Sequence, residues 1–237
     1  MELKANEAYS HLYGLKKWCK EIEMEAARHV TKLGVGRAHN RKGVKVHKCK
    51  EPIEVCTDFV GGERVMLMEY CFAEVCNDLK DNDIADIYIK LTKRYSKEQI
   101  LSKIPKLRLD RELRFLRDAP NQIDSVKELE LYFKLIKERI KMPKCNYTIW
   151  LNKHQHALTD RWSIRPDFYW PKDKLAIEFQ SEKHHMKNKD DIRKDEEKLN
   201  VYAEMGIKCF QINDKMMKDP IKFKAMIRMI KNALAPD

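Results

Sequence analysis

The residues with the clearest chemical content lie in one stretch. Arg165-Pro166-Asp167-Phe168-Tyr169-Trp170 and Leu175-Ala176-Ile177-Glu178-Phe179-Gln180 flank the polar segment Pro171-Lys172-Asp173-Lys174. Two runs rich in aromatic and apolar residues around a short turn predict a β-hairpin. Pairing Trp170 with Leu175 sets Tyr169 opposite Ala176, Phe168 opposite Ile177 and Asp167 opposite Glu178. Strand side chains alternate faces, so Phe168, Ile177 and Phe179 share one face, and Asp167, Glu178 and Gln180 the other. Like charges opposed across a strand pair repel. A hard divalent cation, Mg²⁺ or Mn²⁺, held by the Asp167 and Glu178 oxygens, relieves that repulsion.

The elements around this hairpin read in a definite order. Ser125 caps a helix with Glu128, Leu131, Leu135 and Ile136 in step. Residues 146–151 read as a strand, and the hairpin follows. A helix from about Lys189 to Met205 ends at Gly206, a residue suited to a left-handed cap. Ile207 to Ile212 is a short strand, and Asp219-Pro220 places a cap and a first-turn proline before a last helix. The order is α-β-β-β-α-β-α over residues 119–237, with the break at Asp118-Ala119-Pro120.

Residues 1–118 read as a mostly helical, basic domain. Ala8, Leu12, Leu15, Trp18, Cys19, Ile22 and Ala26 follow helical spacing, and Val65 to Leu79 and Asn82 to Arg117 read as further helices. Within the last of these, Ser96 to Arg117 leaves open a helix-turn-helix reader or a helical bundle with a charged face. Lys32 to Lys48 is a glycine-punctuated basic loop or ribbon that lacks phosphate-loop spacing. Cys49, Cys56, Cys71 and Cys76 are too loosely spaced for a zinc site, which favours buried free thiols.

With 43% hydrophobic and 36% charged residues the chain can bury a core. Only 7 Gly and 8 Pro imply short connections. The net charge of +11 points to a polyanionic partner, nucleic acid ahead of an acidic membrane surface. Seven scattered cysteines suit a reducing compartment. No apolar leader or membrane-length run is visible, which predicts a cytoplasmic protein without a membrane partner.

The ordered set of features resembles the PD-(D/E)XK nuclease superfamily, and within it the very short patch repair endonuclease branch. The resemblance rests on Pro166-Asp167, Glu178-Phe179-Gln180, Arg165-Pro166-Asp167-Phe168, the histidines His184 and His185 after the third strand, and Asp195 and Lys198 ahead of Gly206. Ser125, Glu128, Leu131 and Leu135 match the opening helix. It covers about residues 120–237 and none of 1–118. It implies a restriction-endonuclease-like α/β domain, with a mixed sheet flanked by helices, that cleaves DNA with Mg²⁺ or Mn²⁺ as a monomer or homodimer. In that reading Asp167 and Glu178 hold the metal, and Glu128 completes its shell through water. His184 or His185 serves as general base or as proton donor to the leaving oxygen.

One position departs from the pattern. The family's third residue is usually lysine, and Gln180 stands there. Glutamine orients water but carries no charge. Lys183, or Arg165 facing Gln180 across the ladder, is expected to replace it. An inactive nuclease fold that binds DNA, and a relative that cuts RNA, stay open as alternatives.

Overall fold

The computed structural model describes residues 3, 7–26, 28–33, 44–180 and 189–234. The chain divides into two units, Met1–Ala119 and Pro120–Asp237. The first runs β1 (Glu7–Tyr9), α1 (His11–Trp18), β2 (Arg28–Leu33), β3 (Val44–Cys49), α2 (Ile53–Cys56), β4 (Thr57–Val60) and β5 (Glu63–Met66). The helices α3 (Met68–Asp78), α4 (Asp81–Thr92), α5 (Lys97–Leu101), α6 (Lys106–Asp110) and α7 (Arg114–Asp118) follow.

This unit carries a sheet that the helical expectation did not include, in the order β3-β2-β1-β5-β4. Ala8, Leu12, Leu15, Cys19 and Ile22 are all buried, as their spacing predicts. Only Leu12 and Leu15 of these lie on a helix: Ala8 is on β1, and Cys19 and Ile22 follow α1. A helix and a chain reversal over one core bury the same positions, so periodicity reported burial rather than conformation. The expected helix from Val65 likewise begins at Met68, after β5. β4 and β5 turn on Gly61 and Gly62, with φ of +60° and +80°. Two left-handed residues in a row make a tight hairpin turn whose twist matches its strands. Where a helix-turn-helix was open, α5, α6 and α7 are five residues each, with Ile100, Leu113 and Leu116 turned inward.

Three imidazoles meet in this unit. His11 stacks on His29 with centroids 4.1 Å apart, and His29 Nδ1 lies 2.7 Å from His47 Nε2. His11 and His29 are buried. Asp78 lies 3.1 Å from His11 Nε2, and Glu74 accepts from the His11 backbone and the Thr31 hydroxyl. The seven cysteines are free thiols.

The second unit runs α8 (Val126–Lys137), β6 (Lys144–Cys145), β7 (Ile149–Trp150), α9 (Lys153–His156), β8 (Ser163–Ile164), β9 (Phe168–Trp170) and β10 (Leu175–Gln180). It continues with α10 (Lys189–Glu204), β11 (Lys208–Asn213), α11 (Asp214–Lys218) and α12 (Pro220–Ala233). A mixed sheet of order β11-β10-β9-β6 forms its centre, with β10 parallel to β11 and antiparallel to β9. The hairpin register is the predicted one for Trp170 with Leu175, Tyr169 with Ala176 and Phe168 with Ile177. Phe168 and Ile177 are fully buried on one face. On the other, Tyr169 and Ala176 pack against Val201 and Tyr202 of α10.

Of the strand expected at 146–151 only Ile149–Trp150 is extended, and the strand that enters the central sheet lies just before it. Lys144–Cys145 joins the sheet beside β9, whereas Ile149–Trp150 pairs with β8 in a separate ribbon. Asn146, at φ +47°, turns the chain between them. Its backbone N–H donates to the Asp167 carbonyl and its side-chain amide to Glu128. Asparagine tolerates left-handed backbone better than most residues. Gly206 adopts φ +66° after α10, and the Asp219 carboxylate accepts from the Ile221 and Lys222 amides at the start of α12. No described helix is long and apolar enough to cross a membrane.

Candidate functional site

Asp167 directly precedes β9, and Glu178 lies on β10. The ladder stops at Phe168 with Ile177, so Asp167 is not held in a directly opposed pair with Glu178. Its carboxylate instead crosses to accept the Phe179 N–H at 2.6 Å. Burial comes first, then the Glu178 and Glu128 charges, in pushing the Asp167 carboxyl up to about 7. The Phe179 N–H and Lys198 pull the other way. Three carboxylates therefore share one region.

Glu128 is anchored by α8. Its carboxylate accepts from the Ser125 hydroxyl at 2.8 Å, and from the Asp124 backbone and the Asn146 amide at 3.1 Å each. The Ser125 oxygen in turn accepts the Glu128 N–H at 3.1 Å. The Ser125 oxygen is the N-cap acceptor that a serine before an apolar run encodes, while the Glu128 carboxylate reaches the Asp124 N–H one residue further out. The cap also holds a buried carboxylate near Asp167.

Glu178 has a different environment. Lys198 Nζ lies 2.7 Å from its carboxylate, and the Tyr202 hydroxyl donates to it at 2.5 Å. Residues four apart on a helix sit side by side, so one face of α10 delivers both groups. Lys198 also donates to the Arg165 carbonyl at 2.8 Å. Burial, followed by the Glu178 charge, pushes the Tyr202 phenol far up, so it stays a donor at every working pH.

Arg165 does not face Gln180. No ladder reaches it, and its guanidinium pairs with Asp124. Gln180 ends β10, where it pairs with Asn213 of β11. Lys183, His184 and His185 lie outside the described residues. Lys198 and Tyr202 are the site residues that sequence reasoning missed as partners of Glu178. Their i, i+4 spacing is visible, but the face of α10 that meets the sheet is not.

Among the described residues no group of three or more His, Cys, Asp or Glu side chains is arranged to hold a metal ion. What Asp167 and Glu178 offer is a pair of hard oxygen donors, with water and backbone oxygen left to fill a shell. That set suits Mg²⁺, which keeps several waters and takes one or two carboxylates. The charges acting on Asp167 suit it as well: among the described residues the Glu178 and Glu128 carboxylates stand beside it, with the Lys198 ammonium opposing them. Compared with known proteins, the chain matches no family model, no curated protein and no solved structure.

Proposed function

We propose that this protein is a metal-dependent endonuclease that hydrolyses phosphodiester bonds in DNA. The observation that carries the reading is the Asp167 carboxyl, lifted to about 7 beside Glu178 and Glu128 at the end of a mixed sheet. One carboxyl pushed strongly up by burial and by specific neighbouring charges marks a functional-site candidate. The net charge of +11 supports a polyanionic substrate.

Asp167 and Glu178 would hold the ion. Bound there, Mg²⁺ or Mn²⁺ supplies a nucleophilic water and stabilises charge on the phosphoryl oxygens. Tyr202 and Lys198 hold the Glu178 carboxylate in one orientation, and the Phe179 N–H does so for Asp167. Glu128 adds negative charge behind Asp167 without leaving its cap. His184 and His185 remain the proton-transfer candidates by resemblance alone.

A plasmid nicking assay with Mg²⁺ or Mn²⁺ tests this, with Asp167→Ala as control. Metal-dependent cleavage that the substitution abolishes is the expected result. A second reading, a nuclease fold that grips DNA without cutting it, is favoured by Gln180, which carries no charge where lysine is usual. Shifted DNA with no cut strand under either metal selects that second reading.

A further inference from the structure

We infer that Lys198, on the helix above the sheet, supplies the positive charge at the reacting phosphate that Gln180 cannot. This rests on the endonuclease reading and identifies a catalytic residue within it.

The geometry carries the assignment. Gln180 follows Glu178 by two positions on β10, so both project from one face of the sheet. The helix α10 covers that face, since its Val201 and Tyr202 pack on Tyr169 and Ala176. A lysine on the underside of α10 therefore reaches from above the region that a lysine at 180 reaches from below. Lys198 occupies that place, with Nζ 2.7 Å from Glu178 and close enough to Asp167 to favour its ionised form.

An ammonium has three donors. Nζ lies 2.7 Å from each Glu178 oxygen and 2.8 Å from the Arg165 carbonyl, so a phosphate oxygen or the attacking water takes the place of one Glu178 oxygen when the substrate arrives. The Lys198 side chain is 18% exposed, which leaves it shielded yet accessible. In the hydrolysis, the water oxygen bonds to phosphorus as one ester P–O bond breaks. The water loses a proton, the departing oxygen gains one, and no electrons are exchanged. The ammonium stabilises the extra negative charge on the non-bridging oxygens during that exchange, in the manner of other fixed cationic groups.

A bystander ion pair and a catalytic cation predict different behaviour. Four proteins are compared: wild type, Lys198→Met, Lys198→Arg and the double variant Gln180→Lys with Lys198→Met. Each is measured for plasmid cleavage, for Mn²⁺ binding by electron paramagnetic resonance without DNA, and for thermal unfolding. Removing one charge-stabilising donor typically slows a reaction by about 10²–10³-fold. Compared at a Mn²⁺ concentration that saturates each protein, Lys198→Met should show that loss, Lys198→Arg should keep most activity, and the double variant should regain at least about tenfold. If Lys198→Met does not fold, the double variant is read instead, because it returns a cation to the same face. A folded, Mn²⁺-binding double variant that cuts no faster than Lys198→Met overturns the inference. So does a folded Lys198→Met that cuts at the wild-type rate. Wild type that cuts with neither metal removes the endonuclease reading itself, and the role of Lys198 with it.

Discussion

The Tyr202 hydroxyl donates to the Glu178 carboxylate at 2.5 Å, from one helical turn beyond the lysine that binds the same group. Hydrogen bonds to charged groups contribute about 1.5–3 kcal/mol, more than neutral ones. Tyr202→Phe should therefore destabilise the protein by roughly that amount, because the ring still packs and only the donor is lost. Urea unfolding checks this. A change below about 0.5 kcal/mol means that water replaces the phenol at no cost.

The Asp167 carboxyl, raised from 3.8 to about 7, makes stability depend on pH with a definite sign. Between those values the folded protein binds a proton that the unfolded chain does not. Its contribution is complete below about 3.8 and is lost as pH rises through 7, on the order of 4 kcal/mol in all. Asp167→Asn keeps an oxygen for the Phe179 N–H and removes the titration. It should flatten the stability profile between pH 4 and pH 8 and exceed wild type at the alkaline end. Equal slopes for the two proteins count against the shift.

Divalent metal should reverse that penalty. At pH 8, millimolar Mn²⁺ should raise the Tm of wild type and leave Asp167→Asn nearly unchanged, since a ligand that binds only the folded state stabilises it by mass action. Identical increments in both proteins place the ion elsewhere.

Burial, then the adjacent His11 and His47, hold His29 down to about 4, with Lys45 acting the same way and Asp78 opposing. The unfolded chain takes up this proton near 6.5 and the folded one does not. That stability is complete above pH 6.5 and declines as pH falls toward 4. The His29 ring resonance followed by NMR should titrate with a midpoint near 4. A midpoint near 6.5 shows an imidazole open to water.

Gly206 stands at φ +66° with nothing nearer to an added Cβ than Lys174 Nζ at 3.9 Å. Space is available, so Gly206→Ala should cost only the left-handed backbone term, about 1–2 kcal/mol. Thermal unfolding measures it, and a larger loss points to displacement of the α10–β11 connection.

Local signals were readable wherever a few adjacent residues settle the conformation. The Ser125–Glu128 cap, the Asp219-Pro220 helix start, Gly206 and three pairs of the hairpin register are of this kind. Gly61-Gly62 was an equally local hairpin signal and went unread. The sheet of the first unit was illegible for another reason: strands as short as the three-residue β1 are stabilised by partners far along the chain. The Lys144–Cys145 strand, two residues long, left too little pattern to detect.

By itself, the sequence determined that Glu178 and Gln180 share a face of β10, because alternation along a strand is a property of the backbone. It also determined the caps, since each depends on atoms within four residues. Tertiary structure alone decided what meets those two side chains. Helix α10 lies on their side of the sheet and turns Lys198 and Tyr202 onto Glu178, while Arg165 turns away to Asp124. Which face of a helix packs inward depends on the apolar surface it covers, and no spacing within the helix specifies the charge waiting beneath it.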